Sequence, residues 1–410
     1  MRQEATQMHA HRHSHPKPDR VRLGLLTSTH AVNDLYQGLV PALLPFMVLE
    51  RGYNYTAASG LMLAATGLSS VVQPLFGLYA DKAPRGWMVP LGFLVAALGL
   101  VLAGMSGGSY IATWLAAALC GLGIAAYHPP ATVAARAAGG GSQRAMSVFA
   151  VGGTIGASFA PFLANAVVGG GALDRSWLLA LPAVLMAMLW LAATTGACKR
   201  GGAHAQARRI ADHATNDWRA FALLCGVIVG WSIPYVTVLS MLSLYVTREL
   251  GGAPYMGAAA LTSFTAAGAA GTLLGGWLAD RWGRMPAIRL GYMLALPAMG
   301  GLALAPDAVW AWCCTGALGV AMFLPFSAQV TLAQDYLPRN PATASGITLG
   351  LAMSIGGMVS PLFGLLSDAR GLRYTLTCVL VVLAVSAALA LRMRNRSVST
   401  AIGVEGAARA

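Results

Sequence analysis

Residues 271–284 read GTLLGGWLADRWGR, an apolar stretch that closes on an Ala-Asp pair at Asp280 and is followed at once by basic residues. An earlier stretch, residues 72–82 with the sequence VQPLFGLYADK, closes in the same way at Asp81. The two Ala-Asp pairs lie 199 positions apart, close to half of the 410 residues. Self-similarity at such a spacing indicates that the chain contains two related halves.

Two further motif pairs repeat at nearly the same offset. A Gly-Leu-Gly-x5-Pro motif that ends at Pro129 matches an Ala-Leu-Gly-x5-Pro motif that ends at Pro325, 196 positions later. An Ile-Gly-x4-Pro motif that ends at Pro161 returns at Pro361, 200 positions later. Because each pair keeps its direction along the chain, the halves are predicted to be parallel repeats.

The composition indicates that both halves lie in a membrane. Hydrophobic residues make up 57% of the chain and charged residues only 10%, a balance that excludes an ordinary soluble globule of this length. A helix that crosses a bilayer needs about 20 apolar residues, and apolar blocks of that length recur here with short breaks. Twelve spans are predicted, near residues 22–49, 56–80, 87–106, 110–135, 144–169, 176–198, 218–247, 254–279, 286–305, 308–336, 342–367 and 373–393.

The predicted fold is therefore an all-α membrane protein, with twelve transmembrane helices in two pseudo-symmetric six-helix bundles. Four alternating histidines, His9 to His15, lie near the start of the chain and either bind a metal loosely or have no function. The predicted parts are a His-rich tail (1–21), a first bundle (22–198), a linker (199–217), a second bundle (218–394) and a second tail (395–410).

The net charge of +13 is explained by topology. Cytoplasmic loops of membrane proteins retain Lys and Arg, and one side of the predicted membrane holds all but five of the 27 basic residues. Both tails and the linker are therefore predicted to be cytoplasmic, and no nucleic-acid partner is needed. The five basic residues on the other side are Arg51, Arg175, Arg248, Arg370 and Arg373.

The sequence predicts no cofactor, no metal site and no enzymatic activity. The six cysteines lie in or at the ends of apolar blocks and form no Cys-x-x-Cys motif, which indicates packing. No serine-nucleophile elbow, metal-ligand motif or carboxylate pair typical of an enzyme is present in the sequence.

Asp34 is the one acidic residue that the predicted boundaries place deep in a span. It follows Arg22 by twelve residues, which at 1.5 Å per residue is about 18 Å, near the bilayer middle. A carboxyl group at that depth must pair, bind a proton or meet water, so Asp34 is predicted to carry a coupling proton. The alternative is a packing carboxylate bonded to Asn33 or to a hydroxyl group.

Two histidines are predicted to lie near Asp34. His30 and Gln37 share its helical face, at spacings of four and three residues. His128 lies eight residues before the cytoplasmic Arg136, and His30 lies eight residues after Arg22. Both imidazoles are therefore expected about 12 Å from the inner surface. The histidines are predicted to adjust protonation of the acid. A structural hydrogen bond at the bend of Pro129 and Pro130 is the alternative for His128.

Contacts with a substrate are predicted in both halves. The neutral aromatic and amide groups of the second half suit lipophilic or weakly polar ligands, although helix packing explains each of them equally well. The predicted substrate-binding residues are Asn33, Gln37, Tyr127, Trp231, Tyr235 and Gln329.

Residues 276–284, Gly-Trp-Leu-Ala-Asp-Arg-Trp-Gly-Arg, resemble the loop signature Gly-x-Leu-Ala-Asp-Arg-x-Gly-Arg of the major facilitator superfamily. The copy at residues 77–82 keeps the front half of this signature. More narrowly, residues 22 to 394 resemble the fosmidomycin-resistance group of drug exporters. The motifs that carry this resemblance are THAVND (29–34), QPL (73–75), DK (81–82), YHP (127–129), VGG (151–153) and AQDYLP (333–338).

The resemblance implies alternating access, with a central cavity between two halves that rock against each other, and a monomer suffices for it. One departure concerns the fourth span. The narrower group usually carries Glu after its His-Pro, where this chain has Pro130, so that carboxylate is absent beside His128.

The loop signature also indicates gating residues. Asp280 is expected to cap the start of a neighbouring helix, while Arg281 and Arg284 hold the cytoplasmic face together until the protein opens inward. Asp81 is expected to act in the same way with Arg136 or Arg144. The alternative is that these residues only determine topology and folding.

A proton-coupled exporter of a small drug-like or metabolite molecule is the function that the sequence favours. Its partners are then a small-molecule substrate, protons and the lipid bilayer of the bacterial inner membrane. The alternatives are an uptake permease for a small polar metabolite, an exporter of metal chelates, and a membrane receptor or lipid-modifying enzyme that transports nothing.

Overall fold

The computed structural model describes residues 18–53, 55–83, 85–169, 173–195 and 214–396. The four alternating histidines and most of the predicted linker and second tail lie outside these ranges. Twelve helical segments form within them, which confirms the predicted all-α fold. Their bounds are Arg20–Arg51 (α1), Tyr55–Met62, Leu63–Gly67 and Leu68–Lys82 (α2), Met88–Met105 (α3), Tyr110–Ala138 (α4), Gln143–Val168 (α5), Leu173–Ala180 and Leu181–Thr195 (α6), Trp218–Leu244 and Tyr245–Glu249 (α7), Pro254–Trp282 (α8), Arg284–Ala303 (α9), Ala308–Phe323 and Phe326–Tyr336 (α10), Pro341–Arg370 (α11) and Leu372–Arg392 (α12).

Eleven of these segments are long and apolar enough to cross a membrane by themselves. The exception is α9, whose Arg289, prolines and glycines lower its hydropathy. Each predicted span overlaps one of the twelve segments, with ends that differ by a few residues. Many large apolar side chains on the outer faces are exposed, as expected for helices that contact lipid.

Local departures from a regular α-helix were not predicted from the sequence. The residues Leu63–Gly67 form a π turn inside α2, and Tyr245–Glu249 form another at the end of α7. The first turns of α6, Leu173–Ala180, are a 3₁₀ helix. Helix α10 is interrupted before Phe326 because Pro325 lacks the N–H that a continuous helix requires.

Buried apolar side chains form two separate clusters. The first draws almost all its members from residues 23–183, and the second lies within residues 221–393. Small residues allow close helix contacts inside the first cluster. A Cβ added at Gly156 of α5 would overlap the carbonyl of Ala31, so this glycine lets α5 lie directly on α1. That contact brings the face of α1 that carries Asp34 against α5.

The two halves are joined by hydrogen bonds at one end of the bundle. We call this end the linker end, since α1 and α7 begin there and α6 and α12 end there. The side chain of Thr331 on α10 donates to Oε1 of Gln143 on α5, at 2.7 Å. Helix α2 also packs on α11, where an added Cβ at Gly77 would lie 2.7 Å from the carbonyl oxygen of Ala342.

Candidate functional site

Asp34 lies between two histidines from different helices. Its Oδ2 is 3.3 Å from Nε2 of His30, one turn earlier on α1, and its Oδ1 is 3.2 Å from Nε2 of His128 on α4. The amide of Asn33 donates a further hydrogen bond to Oδ1, at 3.1 Å. The fold therefore brings together the three residues predicted to couple protons, and we call His30, Asp34 and His128 the proton cluster. Asp34, on another helix, is a carboxylate partner for His128.

A backbone carbonyl holds the second nitrogen of each ring. Nδ1 of His30 lies 2.7 Å from the carbonyl oxygen of Phe149, and Nδ1 of His128 lies 3.0 Å from that of Ile124. A carbonyl oxygen only accepts hydrogen bonds, so both Nδ1 atoms carry the hydrogen. In a neutral imidazole only one nitrogen carries a hydrogen. Both Nε2 atoms therefore present a lone pair to Asp34 when the rings are neutral.

This arrangement has places for two protons. An ionised carboxylate is only an acceptor, so two neutral rings beside it would place lone pairs against each other at both contacts. One proton turns one contact into a charge-assisted hydrogen bond, and a second proton does the same at the other. The net charge of the cluster then rises from one negative charge, through neutral, to one positive charge.

The proton cluster is mostly buried but remains reachable. The exposed fractions of the side chains are 10% for His30, 12% for His128 and 17% for Asp34. The ring of His30 stacks on that of Phe149, with centroids 4.3 Å apart. A Cβ added at Gly153 would overlap Oδ2 of Asp34 and lie 2.7 Å from Nε2 of His30. Because Gly153 has no side chain, Asp34 and His30 have room to meet beside α5.

The predicted substrate residues of the first half lie next to the proton cluster. Asn33 is fully buried, and its Oδ1 has no hydrogen-bond partner within the described part of the chain. Tyr127 is also fully buried, and its hydroxyl is 2.9 Å from that of Thr29. Gln37, on the same helix as Asp34, is partly exposed. Of the three predicted residues, Gln37 is therefore the one that a ligand can reach.

In the second half, two of the three predicted substrate residues bond inside their own bundle. Trp231 donates its indole N–H to the carbonyl of Met322 at 2.7 Å, and Gln329 donates to the hydroxyl of Tyr292 at 2.8 Å. Both side chains are buried. Tyr235 stacks on Trp231 with centroids 4.7 Å apart and is partly exposed. Of the neutral aromatic and amide groups predicted to contact substrate in the second half, Tyr235 is therefore the one that a ligand can reach.

Asp335, which was not predicted as a functional residue, is the centre of an ion-pair triad at the linker end. Its Oδ1 is 2.6 Å from a guanidinium nitrogen of Arg136 on α4, and its Oδ2 is 2.6 Å from one of Arg284 on α9. Arg136 also donates to the carbonyl of Thr331 and to the side chain of Gln334. Arg136 therefore ties the first half to the second through Asp335.

Asp280 caps a helix of the opposite half, as its loop signature predicts. Its carboxylate accepts hydrogen bonds from the N–H groups of Gln143 and Arg144, at 2.7 and 3.1 Å, and from the hydroxyl of Ser142, at 2.7 Å. These groups form the start of α5, where the helix dipole favours a negative charge. Asp280 therefore connects α8 to the first half.

Asp81 makes the matching contact in the other direction, and its predicted arginine partner is wrong. It accepts hydrogen bonds from the N–H groups of Ala342 and Thr343, both at 2.9 Å, and from the hydroxyl of Thr343. Arg136 pairs instead with Asp335. The start of α11 supplies free N–H groups directly opposite Asp81, so the carboxylate bonds them rather than an arginine.

The remaining predicted gating residues contribute less to the contact between halves. The side chain of Arg144 is 56% exposed and lies 3.9 Å from Asp280, which is a weak, solvated pair. Arg281 lies over the ring of Trp277 in its own helix, 5.5 Å from the centroid. The predicted role of Arg281 between the halves therefore has no support from its contacts.

Sequence comparison places the chain in a family. The sequence model described as Major Facilitator Superfamily matches residues 26–361. The chain belongs to this superfamily. It is 30% identical over 354 residues to the fosmidomycin resistance protein of Escherichia coli K12, covering 84% of this chain and 86% of that protein. It is 29% identical over 358 residues to the uncharacterised MFS-type transporter YfnC of Bacillus subtilis 168, covering 85% and 87%.

Solved structures of other transporters share the fold. The transporter FucP in its outward conformation matches with a TM-score of 0.73 at 16% identity, covering 92% of this chain and 99% of FucP. A bacterial homologue of the iron transporter ferroportin, in an outward-facing state, matches with a TM-score of 0.70 at 14% identity, covering 91% and 99%. At these identities the similarity shows the fold alone. Membership of the superfamily, which rests on the sequence match, makes the chain a multi-pass membrane transporter and not an enzyme.

Proposed function

We propose that this transporter is a proton-coupled exporter that moves a small drug-like or metabolite molecule by alternating access. The observation that carries the coupling is the proton cluster, because two fixed imidazoles facing one carboxylate can hold two protons inside the bundle. Export, and a place in the bacterial inner membrane, are supported by the similarity to the fosmidomycin resistance protein.

The contacts at the linker end provide the gate of this mechanism. Asp81 caps α11, Asp280 caps α5, and Arg136 reaches Asp335, so these contacts cross between the halves together with the hydrogen bond from Thr331 to Gln143. All of them must break when the halves separate at this end. We infer that the linker end faces the cytoplasm and that the structure is closed on that side. The protein acts as a monomer in this proposal.

Substrate contacts are assigned to the partly exposed groups of both halves. Gln37 lies on the helix face that carries Asp34, and Tyr235 extends the aromatic stack of the second half. A ligand between the halves would then meet an amide, an aromatic face and the proton cluster. Substrate and proton thus share the first half, which is a simple route to coupling.

Solute exchange in proteoliposomes tests the proposed function. Vesicles that contain the purified protein and an excess of an unlabelled cationic drug such as ethidium should accumulate the labelled compound from outside, because counterflow needs a transporter but no gradient. An imposed pH gradient should then drive the compound against the proton flow. Accumulation with the proton flow would instead identify an uptake permease, and no exchange of any tested drug-like compound or metabolite would contradict transport.

Cysteine labelling tests the inferred orientation. In a variant without its six native cysteines, single cysteines placed between residues 199 and 217 should react with a membrane-impermeant maleimide only after the cytoplasmic side is opened. The reason is the excess of Lys and Arg on that side of the bundle. A cysteine at Gly107, between α3 and α4, is the control and should react in intact cells. Labelling of the linker in intact cells would reverse the orientation.

The charge of the transported compounds can also be predicted. Every Lys and Arg of the described helices lies near a helix end, so an anionic ligand deep in the bundle would meet only His30, His128 and helix dipoles. Neutral, zwitterionic or cationic compounds should therefore be moved better than phosphonates. Drug susceptibility of a strain that expresses the protein measures this, and resistance confined to phosphonates would contradict it.

A further inference from the structure

The proton cluster offers three metal-ligand atoms that converge on one point. One ligand atom each from His30, Asp34 and His128 lie within 4.8 Å of one another. We propose that these residues form a binding site for a divalent first-row transition-metal ion, with Zn²⁺ as the representative ligand. This inference goes beyond the proposed function, which requires only protons at these residues.

The distances inside the cluster match the geometry of such an ion. Zinc binds imidazole nitrogen and carboxylate oxygen at about 2.0–2.1 Å, and a tetrahedron with these bonds places neighbouring ligand atoms about 3.3 Å apart. His30 lies 3.3 Å from Oδ2 of Asp34 and His128 lies 3.2 Å from Oδ1, so each imidazole is at this spacing from a different carboxylate oxygen. An ion bound through one of these oxygens requires ligand atoms that now lie up to 4.8 Å apart to move closer together.

The hydrogen bonds that orient the three candidate ligand side chains are those typical of a metal site. A metal-binding histidine usually donates its other ring N–H to a carbonyl or carboxylate, which fixes the ring and turns the free nitrogen towards the metal. The carbonyls of Phe149 and Ile124 do this for His30 and His128. The amide of Asn33 holds Oδ1 of Asp34 in turn. All three ligands are therefore oriented by fixed partners.

The ligand set selects one class of ion. Two imidazoles and one carboxylate suit Zn²⁺ and the other divalent first-row transition-metal ions, while Mg²⁺ and Ca²⁺ prefer a larger number of oxygen ligands. Three protein ligands leave a fourth tetrahedral position for water or another small ligand. The partial exposure of the three side chains gives an ion access to the site.

Metal and proton use the same atoms. A metal bonds the Nε2 lone pairs and the carboxylate, which are the groups that hold protons in the proposed mechanism. Bound Zn²⁺ should therefore inhibit gradient-driven transport. Binding itself is measured on purified protein without transport, so failure of the metal inference and failure of the proposed function can be told apart.

Cobalt titration of the purified full-length protein provides the test. The titration uses protein without a polyhistidine tag, in which the four alternating tail histidines are replaced by glutamine. These changes prevent metal binding by a tag or by the tail. We expect one Co²⁺ per chain, with d–d absorption bands and no thiolate charge-transfer band, because the ligands are nitrogen and oxygen. Zn²⁺ should displace the cobalt, and Mg²⁺ in large excess should not.

Variants identify the ligands. Asp34→Asn and His128→Gln should each weaken binding by about 100-fold or more, because each removes a direct ligand and loss of a mere supporting contact already costs about 10–100-fold. Asp307→Asn is the matched control, since Asp307 caps α10 elsewhere in the chain, and should bind like the parent. Equal binding by the parent and by both ligand variants would overturn the proposal, as would the absence of binding in the parent.

X-ray absorption on the zinc-loaded parent gives a second readout that needs no variant. We expect nitrogen and oxygen ligands at about 2.0 Å, with the scattering signature of two imidazoles. Sulfur in the coordination shell would assign the metal to the cysteines and contradict the proposed site. This readout remains decisive if the ligand variants fold poorly.

Discussion

Asp34→Asn is expected to abolish transport driven by a pH gradient while leaving substrate binding and gradient-free exchange near the level of the parent protein. Asparagine has the shape of a protonated aspartic acid but cannot release or accept a proton. Its amide can still bond one of the two imidazoles that now face the carboxylate at 3.2 and 3.3 Å. The variant should thus keep the geometry of the site and lose the carboxylate charge that stabilises a proton on either imidazole.

Two proteoliposome assays on one preparation measure this effect. Counterflow without a gradient reports binding and alternating access, and uptake or efflux after a pH jump reports coupling. We expect the second to fall to the level of empty liposomes and the first to persist. His128→Ala should cause a smaller loss or a shifted pH optimum, because His30 still pairs with Asp34. Asp307→Asn, far from the cluster in sequence and function, is the control for a lost carboxylate.

Two outcomes would remove Asp34 from the coupling step. The first is full gradient-driven transport by a well-expressed Asp34→Asn protein. The second is loss of expression and of both assays together, which would show that the carboxylate only holds α1 against its neighbours. The contact of Asp34 with His128 on α4 makes this structural role a real alternative.

Arg136→Ala is expected to open the linker end. Its guanidinium group reaches from α4 to Asp335 and Gln334 of α10, so the substitution removes charge-assisted hydrogen bonds between the halves. Hydrogen bonds to charged groups are each worth about 1.5–3 kcal/mol. A loss of about 2 kcal/mol would shift the balance between the closed and open linker end by roughly 30-fold. Asp335 keeps Arg284, so its buried charge stays paired.

Distances between spin labels measure this shift. Labels on cysteines at Lys82 and Trp282, which end α2 and α8 at the linker end, should move to longer separations in Arg136→Ala. Arg144→Ala is the matched control, since its exposed side chain makes only a weak pair with Asp280, and should leave the distances unchanged. Equal distance distributions in Arg136→Ala and the parent would show that this arginine does not hold the gate closed.

The sequence alone determined the number of spans, the two parallel halves and the family. Apolar blocks of membrane length and motifs repeated at offsets near 199 are local or periodic features of the sequence. They can be recognised without knowledge of how the helices pack. The depth of Asp34, His30 and His128 could also be predicted, because the helical rise converts residue number into distance along the membrane normal. That count places the two imidazoles at the same depth, about one helical turn from Asp34.

The tertiary structure decided which side chains meet. Depth along a helix does not fix its rotation or its neighbours, so the two imidazoles that flank Asp34, and the carbonyls that hold them, appear only in the packed bundle. The same holds at the linker end. In the sequence, nothing distinguishes Asp335 from other acidic residues at helix ends, and the arginine partner predicted for Asp81 is wrong. Hydrogen bonds between residues 199 or 261 positions apart depend on how two halves face each other, and no local pattern in the chain encodes that orientation.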